Sequence, residues 1–163
     1  MASAQQAYKN KSMSDSIIHA INKTLTKTKR VDGVFINIAK EIGTLSHCQR
    51  AKVGAVLVNN GNIISFGYNG TPSGLDNKCE DRDVTKPNVI HAEMAAILKA
   101  ARSGYAVEGA TLYLTLSPCK ECAKLILQSG VNKVVYLEEY RDDAGIRFLK
   151  DFIGIYKYET NEI

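Results

Sequence analysis

The sequence predicts a three-layer α/β/α domain whose central mixed sheet has about five strands. A β-hairpin pattern lies near residue 60, and helical and strand patterns alternate after it to the end of the chain. The 163 residues are also enough to bury roughly two thirds of the surface that the unfolded chain exposes. We therefore expect a domain that needs neither a metal nor a disulfide merely to fold.

The segment before this hairpin contains two regions of different character. Residues 1–30 are rich in Lys, Ser, Thr and Asn, which is typical of a basic tail or of a loosely docked helix. From Val34 to Leu45, apolar residues recur at helical spacing behind a possible N-cap at Asp32. We therefore place a first core helix from this cap to about Ser46 and assign the folded domain to residues 31–163.

Patterns from residue 53 onward predict the remaining elements. The apolar segments 53–58 and 63–67 flank an Asn-Asn-Gly-Asn turn and predict a β-hairpin. Residues 67–87 lack periodicity and predict a long loop, which in a compact domain usually carries a function. After the loop we predict a helix over 92–102, a strand over 110–116, a helix over 118–128, a strand over 133–138, a helix over 144–152 and a closing strand over 153–159.

The net charge of +4 is concentrated at the front of the chain. Residues 1–52 carry nine Lys and Arg against three Asp and Glu, whereas the remaining residues carry twelve against fourteen. A basic segment can bind nucleic acid or a phosphorylated ligand, but a solvated helical face is the simpler interpretation. Because the chain has no Trp and only a modest excess of positive charge, we do not expect a nucleic-acid partner.

The apolar segments and the cysteines bear on the compartment in which the protein works. The N-terminus has no apolar core of the length that a secretion signal needs, and no apolar run approaches the ~18 residues of a membrane span. We therefore expect a cytoplasmic protein in a reducing environment, without a membrane partner. Its four cysteines should then be free or metal-bound thiols, and they are Cys48, Cys79, Cys119 and Cys122.

Cys119 and Cys122 directly follow a proline and have the spacing of a metal-binding pair. A Cys-x-x-Cys that opens a helix places both sulfurs beside the first turn, where the helix dipole and the unpaired N–H groups favour thiolates. Zinc prefers four ligands, and His91, at the start of the preceding predicted helix, is the natural third one. The fourth position is then open to water, whose pKa zinc lowers to about 7.

Glu93 lies two residues after His91, so its carboxylate can face the metal-bound water and shuttle a proton. Each motif alone has a plainer interpretation. A lone Cys-x-x-Cys is often a redox pair or half of a zinc knuckle, and a lone His-x-Glu is usually accidental. A thioredoxin-like redox site would need neither His91 nor Glu93. Together, however, the two motifs form the signature of zinc deaminases.

At these residues, and from about Val34 to about Leu149, the chain resembles the cytidine and deoxycytidylate deaminase superfamily. The flanking segments resemble the deoxycytidylate (dCMP) deaminases in particular, because the GYNGTPSG loop is not expected in this form in tRNA adenosine deaminases. The resemblance implies a cytidine-deaminase-like fold and hydrolysis of dCMP to dUMP and ammonia, which supplies dUMP for thymidylate synthesis. The segments that carry it are VGAVLV, Cys48-Gln49-Arg50, GYNGTPSG, Cys79-Glu80, HAEMAAI, PCKECAKLI and Tyr140-Arg141-Asp142.

The resemblance also implies roles for individual residues. In the family mechanism a zinc-activated water attacks C4, while Glu93 takes its proton, protonates N3 and later carries a proton to the departing amine. The Ala92 N–H should hold O2 of the base, and the Ser117 carbonyl should accept a hydrogen bond from the 4-amino group. Asn69 should contact the sugar.

The 5′-phosphate of dCMP needs a cationic partner, and a guanidinium suits it because its N–H donors are paired. Arg50 and Arg141 each flank a family motif and are our candidates for this partner, and Tyr140 is a further candidate for substrate contact. The alternative for either arginine is an ordinary surface side chain.

In this family the loop that here contains Gly67, Tyr68, Asn69, Gly70 and Thr71 also helps to form a regulatory site. The resemblance implies activation by dCTP, inhibition by dTTP, assistance by Mg²⁺ bound with the triphosphate, and coupling within a homo-hexamer. Glycines that let backbone N–H groups approach phosphates are consistent with such a site. The alternative is a loop that merely turns the chain.

Some relatives bind a second, structural zinc through additional Cys and His in the loop before the HAE helix. Here that loop offers only Cys79, whereas Cys48, His47 and His19 lie outside it. We therefore expect one catalytic zinc per chain and no second zinc.

Two other functions remain open from the sequence. One is a deaminase of the same fold that acts on a free nucleoside, on guanine or on adenosine in tRNA, and the basic N-terminal segment favours tRNA. The other is a non-catalytic zinc-containing module that senses nucleotides. Glu93 argues against the module, because a purely structural zinc site has no use for a proton shuttle.

Overall fold

The computed structural model describes the backbone of residues 2–160 and the side chains of residues 16–160. That part of the chain forms four helices and seven strands. The helices are α1 (Ala2–Thr44), α2 (Ala92–Arg102), α3 (Lys120–Gln128) and α4 (Ala144–Leu149). The strands are β1 (Gly54–Asn59), β2 (Asn62–Tyr68), β3 (Glu80–Asp81), β4 (Val84–Thr85), β5 (Thr111–Leu116), β6 (Lys133–Glu138) and β7 (Gly154–Lys157).

Five of the strands form one mixed sheet in the order β2-β1-β5-β6-β7. Strand β1 is antiparallel to both β2 and β5, whereas β5, β6 and β7 run parallel to one another. Helix α3 connects β5 to β6 and helix α4 connects β6 to β7, because parallel neighbours need a crossover connection. The predicted mixed sheet of about five strands is confirmed.

Successive side chains of β1 point to opposite faces of the sheet, as the pleat of a strand requires. Ala55 and Leu57 are buried in a cluster with residues of α2 and α3, whereas Val56 and Val58 pack with Ile36 of α1. Helices therefore cover both faces of the sheet, and the predicted three-layer α/β/α arrangement is confirmed.

Two glycines allow the helices that carry the candidate site to lie close to their neighbours. A Cβ at Gly67 of β2 would collide with the carbonyl oxygen of Ala92 and the backbone nitrogen of Ala96 in α2. A Cβ at Gly145 of α4 would likewise collide with the carbonyl oxygen of Pro118, which precedes α3. The starts of α2 and α3 are thus fixed by backbone packing.

Helix α1 differs from the prediction because it is one continuous helix from Ala2 to Thr44. The proposed N-cap at Asp32 is therefore wrong. Asp32 lies inside the helix, where its carboxylate accepts hydrogen bonds from Tyr113 Oη (2.7 Å) and Lys133 Nζ (3.1 Å) and ties α1 to the sheet. Residues 16–30 of the helix are exposed. The division of the chain at residue 30 stays a prediction.

The predicted long loop before α2 contains a small hairpin. Strands β3 and β4 pair antiparallel, with Glu80 opposite Thr85. A disulfide joins Cys79, which precedes β3, to Cys48. The expectation that all four cysteines are free or metal-bound thiols is therefore wrong for this pair. The fold brings their two loops together across a sequence separation of 31 residues, with a Cα–Cα distance of 5.1 Å.

The other predicted elements are confirmed with small shifts at their ends. The hairpin of β1 and β2, helix α2 and strand β6 match the predicted segments to within one or two residues. Helix α4 ends earlier than predicted, and Phe152, which was assigned to it, lies in the turn that follows. No helix in the described part of the chain has the length and apolar content to cross a bilayer.

Candidate active site

Helices α2 and α3 begin beside each other, and their first turns carry four of the predicted site residues. His91 is the N-cap of α2 and Cys119 is the N-cap of α3, both with extended backbone angles. Cys122 is the third residue of α3. The distances from His91 Nδ1 are 3.6 Å to Cys119 Sγ and 3.4 Å to Cys122 Sγ. The fold therefore unites side chains that lie 28 and 31 residues apart in the chain.

This group fits a tetrahedral zinc ion. Zinc bonds of about 2.1 Å to nitrogen and about 2.3 Å to sulfur imply a separation of about 3.6 Å between tetrahedral ligand atoms. The observed separations of 3.6 and 3.4 Å agree with that value. Within the described residues, it is the one group of three or more His, Cys, Asp or Glu side chains with this spacing. Three ligands leave a fourth position for water or substrate.

The three side chains also influence one another's protonation. Hydrogen bonds from Cys122 and then from His91 lower the pKa of Cys119 well below its ordinary value, which favours its thiolate. The hydrogen bond to Cys119 raises the pKa of Cys122 above its ordinary value, and burial raises it further. The hydrogen bond to Cys119 likewise raises the pKa of His91. A thiolate is the form in which cysteine binds a metal.

Glu93 is the second residue of α2, and its side chain is buried, with 4% of the residue exposed. Burial disfavours the charged carboxylate and raises the pKa of Glu93 from 4.5 to about 7. A hydrogen bond with Cys122 acts in the opposite direction. A carboxyl group with a pKa near neutrality is suited both to accept and to donate a proton.

His91, Glu93 and Cys119 line a cavity of about 400 Å³, which is large enough for a small ligand. Each residue that the sequence predicted for substrate contact also lines it. The lining residues predicted for substrate contact are Arg50, Asn69, Ala92, Ser117, Tyr140 and Arg141.

Ala92 and Ser117 bring backbone groups to this cavity. Ala92 is the first residue of α2, and the first N–H groups of a helix have no partner within the helix. Ser117 directly follows β5, and its backbone N–H is bonded to the Glu138 carbonyl (2.8 Å). Its hydroxyl accepts a hydrogen bond from the Tyr140 N–H (2.8 Å). The Ser117 hydroxyl thus holds the start of the loop that carries Tyr140 and Arg141.

The Asn69 side chain is already bonded to the backbone of a neighbouring loop. Its Oδ1 accepts a hydrogen bond from the Val53 N–H (2.8 Å), and its Nδ2 donates to the Ala51 carbonyl (2.8 Å). Asn69 is buried. It therefore shapes the wall of the cavity by fixing this loop, and its predicted contact with a sugar stays a prediction.

The two predicted phosphate ligands are both exposed. The Arg141 guanidinium lies over the Tyr140 ring, 5.6 Å from its centroid, which is within the range of a cation–π contact. Arg50 Nη1 donates a hydrogen bond to Thr85 Oγ1 (2.9 Å). The sequence reasoning missed Thr85 and Glu80, which also line the cavity. The segment Cys79-Glu80 carried the family resemblance, but no role was predicted for Glu80, and Thr85 lies in a stretch without periodicity.

The predicted regulatory segment faces a second cavity of about 540 Å³. Gly67, Tyr68, Gly70 and Thr71 line this second cavity, whereas Asn69 lines the first. One short segment therefore contributes to both cavities. Sequence reasoning did not predict a role here for Lys99 or His47, which also line the second cavity.

The glycines of this segment have different structural roles. Gly67 is required for the close approach of α2 described above. A Cβ at Gly70 would have no atom within 4 Å, and Gly70 exchanges backbone hydrogen bonds with Ile90 (2.8 and 3.1 Å). The Cα of Gly70 thus faces open space, whereas its N–H and carbonyl are both used in hydrogen bonds.

Comparisons with known proteins agree with this geometry. The family model described as the cytidine and deoxycytidylate deaminase zinc-binding region matches residues 29–138. Deoxycytidylate deaminase of Enterobacteria phage T4 is 40% identical over 147 residues, which cover 64% of this chain and 76% of the phage protein. Deoxycytidylate deaminase of Saccharomyces cerevisiae is 35% identical over 131 residues, which cover 74% of this chain and 42% of the yeast protein.

A solved structure is similar over most of the fold. The crystal structure of dCMP deaminase from the cyanophage S-TIM5 in complex with dCMP and dUMP matches with a TM-score of 0.77 and 42% sequence identity. The match covers 78% of this chain and 96% of the cyanophage chain.

Proposed function

The chain belongs to the cytidine and deoxycytidylate deaminase family, and from this premise we propose that it hydrolyses dCMP to dUMP with the help of zinc. Water adds to C4 of the pyrimidine and ammonia leaves, so the products are dUMP and ammonia. The observation that carries the proposal is one cavity that combines the His91, Cys119 and Cys122 group with buried Glu93 and two exposed arginines. The similarity to a dCMP deaminase whose structure holds dCMP and dUMP supports the same substrate.

His91, Cys119 and Cys122 would hold the zinc ion. When bound, zinc supplies a water molecule that is activated as a nucleophile at neutral pH. Glu93 accepts the proton of that water, delivers a proton to N3 and then carries one to the leaving amine. Its pKa of about 7 suits both directions of transfer. Burial of Glu93 also keeps bulk water away from the carboxyl group during the transfers.

Backbone groups orient the base in this proposal. The Ala92 N–H donates to O2, and the Ser117 carbonyl accepts a hydrogen bond from the 4-amino group. Both residues are buried, and they lie at the start of α2 and directly after β5, so these groups need little rearrangement when the substrate binds. Asn69 borders the sugar.

Arg50 and Arg141 bind the 5′-phosphate, with Tyr140 beside them. Both guanidinium groups are exposed at the cavity, and each has N–H donors beyond the contact that it already makes. Arg141 is supported by Tyr140, and Arg50 by Thr85. A charge-assisted pair to phosphate is stronger than a neutral hydrogen bond, so the phosphate should be a condition of efficient turnover. We propose that the reaction takes place in the cytoplasm and supplies dUMP for thymidylate synthesis, although a disulfide such as Cys48–Cys79 is uncommon in that compartment.

Product analysis tests the proposal. Zinc-loaded protein is incubated with dCMP, deoxycytidine, CMP and a tRNA substrate, and the products are separated chromatographically while ammonia is measured. We expect dUMP and equimolar ammonia from dCMP, at a rate well above that for the other compounds. A parallel incubation contains guanine. A higher rate on a free nucleoside, on guanine or on tRNA would instead identify a deaminase of another substrate. No ammonia from any of them, with zinc bound, would identify a non-catalytic module.

We further propose that the second cavity binds a regulatory nucleoside triphosphate with Mg²⁺, with dCTP as activator and dTTP as inhibitor. Lys99 and His47 line this cavity and supply N–H donors for a polyphosphate, and the lack of a side chain at Gly70 leaves room for it. Asn69 borders the first cavity beside Tyr68 and Gly70 of the second, so a shift of this segment would reach the substrate. Coupling within a homo-hexamer is part of this proposal.

Rates measured against dCMP concentration test the regulation. With Mg²⁺ present, dCTP should lower the apparent KM for dCMP and dTTP should raise it. Each change should lie between about five- and 150-fold, which is the usual range of allosteric coupling. Gly70→Val should blunt both responses by obstructing the approach of a triphosphate, whereas Gly70→Ala, a smaller change with open space around it, should retain them. If neither nucleotide at millimolar concentration changes the wild-type rate curve, the regulatory proposal is wrong. The segment from Gly67 to Thr71 is then only a turn of the chain.

A further inference from the structure

Strands β3 and β4 are the shortest elements in the described part of the chain, and Glu80, Val84 and Thr85 of their hairpin line the first cavity. Each strand has two residues, and the two cross-strand pairs are Glu80 with Thr85 and Asp81 with Val84. An isolated hairpin of this size has little stability of its own. The hairpin is therefore held by its contacts with other parts of the chain.

Four of these contacts converge on the segment from Cys48 to Arg50. The Cys48–Cys79 disulfide joins this segment to the residue before β3. Glu80 Oε1 accepts hydrogen bonds from the Gln49 N–H (3.1 Å) and the Arg50 N–H (3.2 Å). Arg50 Nη1 donates to Thr85 Oγ1 (2.9 Å). One cross-strand pair thus holds Arg50 at both ends, at its backbone and at its guanidinium group.

This arrangement explains why a carboxylate lies in a cavity that is proposed to take an anionic substrate. Glu80 lines the cavity, and its negative charge alone would repel a phosphate. Its Oε1, however, is bonded to two backbone N–H groups, which compensate part of the charge. An exposed arginine that makes no such contact samples many rotamers and loses this freedom on binding. An arginine that is already held loses less.

We propose that Glu80 and Thr85 are positioning residues that hold Arg50 in the orientation in which it binds the 5′-phosphate of the substrate. The inference rests on the proposed function, because it assigns the phosphate to Arg50. Glu80 fixes the backbone of Arg50, and Thr85 uses one of the five guanidinium N–H donors while the others stay available to phosphate oxygens. Neither residue needs to touch the substrate.

Steady-state kinetics with dCMP and with deoxycytidine, which has no phosphate, test this assignment. Glu80→Ala and Thr85→Val should each raise KM for dCMP by about five- to tenfold and leave kcat almost unchanged, because binding rather than chemistry is affected. Glu80→Gln keeps an acceptor oxygen and should recover most of the loss. Values of kcat/KM for deoxycytidine should stay at the wild-type level in all three variants.

The matched control is Asp81→Ala, which removes the adjacent carboxylate of the same strand. Its side chain points to the opposite face of the hairpin from that of Glu80, so kinetics with dCMP should not change. Thermal unfolding of each variant reports whether it folds. Thr85→Val alters few atoms and serves as the test if Glu80→Ala does not fold.

A double-mutant cycle separates action through Arg50 from independent action. If Glu80 acts through Arg50, the variant that combines Arg50→Ala with Glu80→Ala should be no worse toward dCMP than Arg50→Ala alone. Additive losses would overturn the assignment, as would an equal loss toward deoxycytidine, which would indicate direct contact with the sugar or base. A wild-type KM in Glu80→Ala would also overturn it. Absence of dCMP deamination by the wild type would instead contradict the proposed function itself.

Discussion

The candidate site has a floor and a rim, and the two are held by different kinds of structure. The floor consists of His91, Glu93, Cys119 and Cys122, which all lie at the cap or in the first turn of α2 or α3. Both helices pack on the sheet through fully buried residues. The positions of the floor side chains are therefore set by the hydrophobic core itself.

The rim consists of Arg50, Glu80, Thr85 and Arg141, which lie in loops or in the two-residue strands. No rim side chain belongs to the two core clusters of the described residues. Arg50 is held by hydrogen bonds to residues 30 and 35 positions away, and Arg141 by contact with one aromatic ring.

This difference predicts that the floor carries out the chemistry and that the rim binds the phosphate. Chemistry at C4 needs atoms held to a fraction of an ångström, which a packed core provides. Recognition of a phosphate tolerates a more adaptable contact, and an exposed arginine can adjust to it. Substitutions in the floor should therefore abolish turnover, whereas substitutions in the rim should change the affinity for the phosphorylated substrate.

The largest effect is expected at Glu93. Glu93→Gln removes the proton shuttle without touching the three metal ligands, so kcat should fall by about 10²- to 10⁴-fold, the usual contribution of general acid–base catalysis. Zinc content, measured by atomic absorption, should remain at one ion per chain. The control Glu41→Gln changes an exposed carboxylate of α1 and should have wild-type kinetics. A Glu93→Gln enzyme with a tenth of the wild-type rate would refute the assigned role.

Loss of metal and loss of activity should occur together at the two floor cysteines. Cys119→Ser and Cys122→Ser each leave two strong protein ligands, which are too few to hold a catalytic zinc firmly. After dialysis both variants should contain little zinc and show little turnover. The matched control is the double variant Cys48→Ser and Cys79→Ser, which removes the disulfide pair and should retain zinc. Full zinc occupancy in either floor variant would mean that the ligands are assigned wrongly.

A smaller effect, on stability alone, is expected on the opposite face of the sheet. Asp32→Asn weakens the contacts of α1 with Tyr113 and Lys133, so the free energy of unfolding should fall by about 1.5–3 kcal/mol, as for hydrogen bonds to charged groups. Kinetics should be unaffected. The exposed pair Lys157 and Glu139 offers a control, because Glu139→Gln should cost less than about 1 kcal/mol.

Denaturant unfolding of both variants measures the difference between them. Equal losses would mean that the Asp32 cluster contributes no more than a surface ion pair. A lower kcat in Asp32→Asn would mean that the two faces of the sheet are coupled, which contradicts the independence assumed here.

The floor could be predicted from the sequence because each half of it is a local motif. His91 and Glu93 lie two residues apart, Cys119 and Cys122 lie three apart, and both motifs open helices with clear apolar periodicity. The only step beyond the sequence was to bring the two helix starts together, and alternating helices and strands predict such an arrangement. The helix α2 was predicted with its observed bounds.

The supports of the rim could not be predicted, because they join distant segments without periodicity. Nothing in the sequence indicates that Glu80 meets the backbone of Arg50, or that Cys48 meets Cys79. The continuity of helix α1 was not predicted, for a different reason. Residues 1–32 contain neither Gly nor Pro to end a helix, but the exposed residues 16–30 are mostly polar and resemble a tail in composition.

The division between floor and rim is tested most directly by the ratio of kcat/KM for dCMP to kcat/KM for deoxycytidine, in the wild type and in Arg50→Ala and Arg141→Ala. A charge-assisted pair to phosphate is worth about 1.5–3 kcal/mol, so each variant should lower the ratio by about ten- to hundredfold. The whole change should come from dCMP, with deoxycytidine turned over as by the wild type. An equal loss for both substrates, or a wild-type ratio near one, would contradict the central claim. That claim is that rim residues bind the phosphate while floor residues carry out the chemistry.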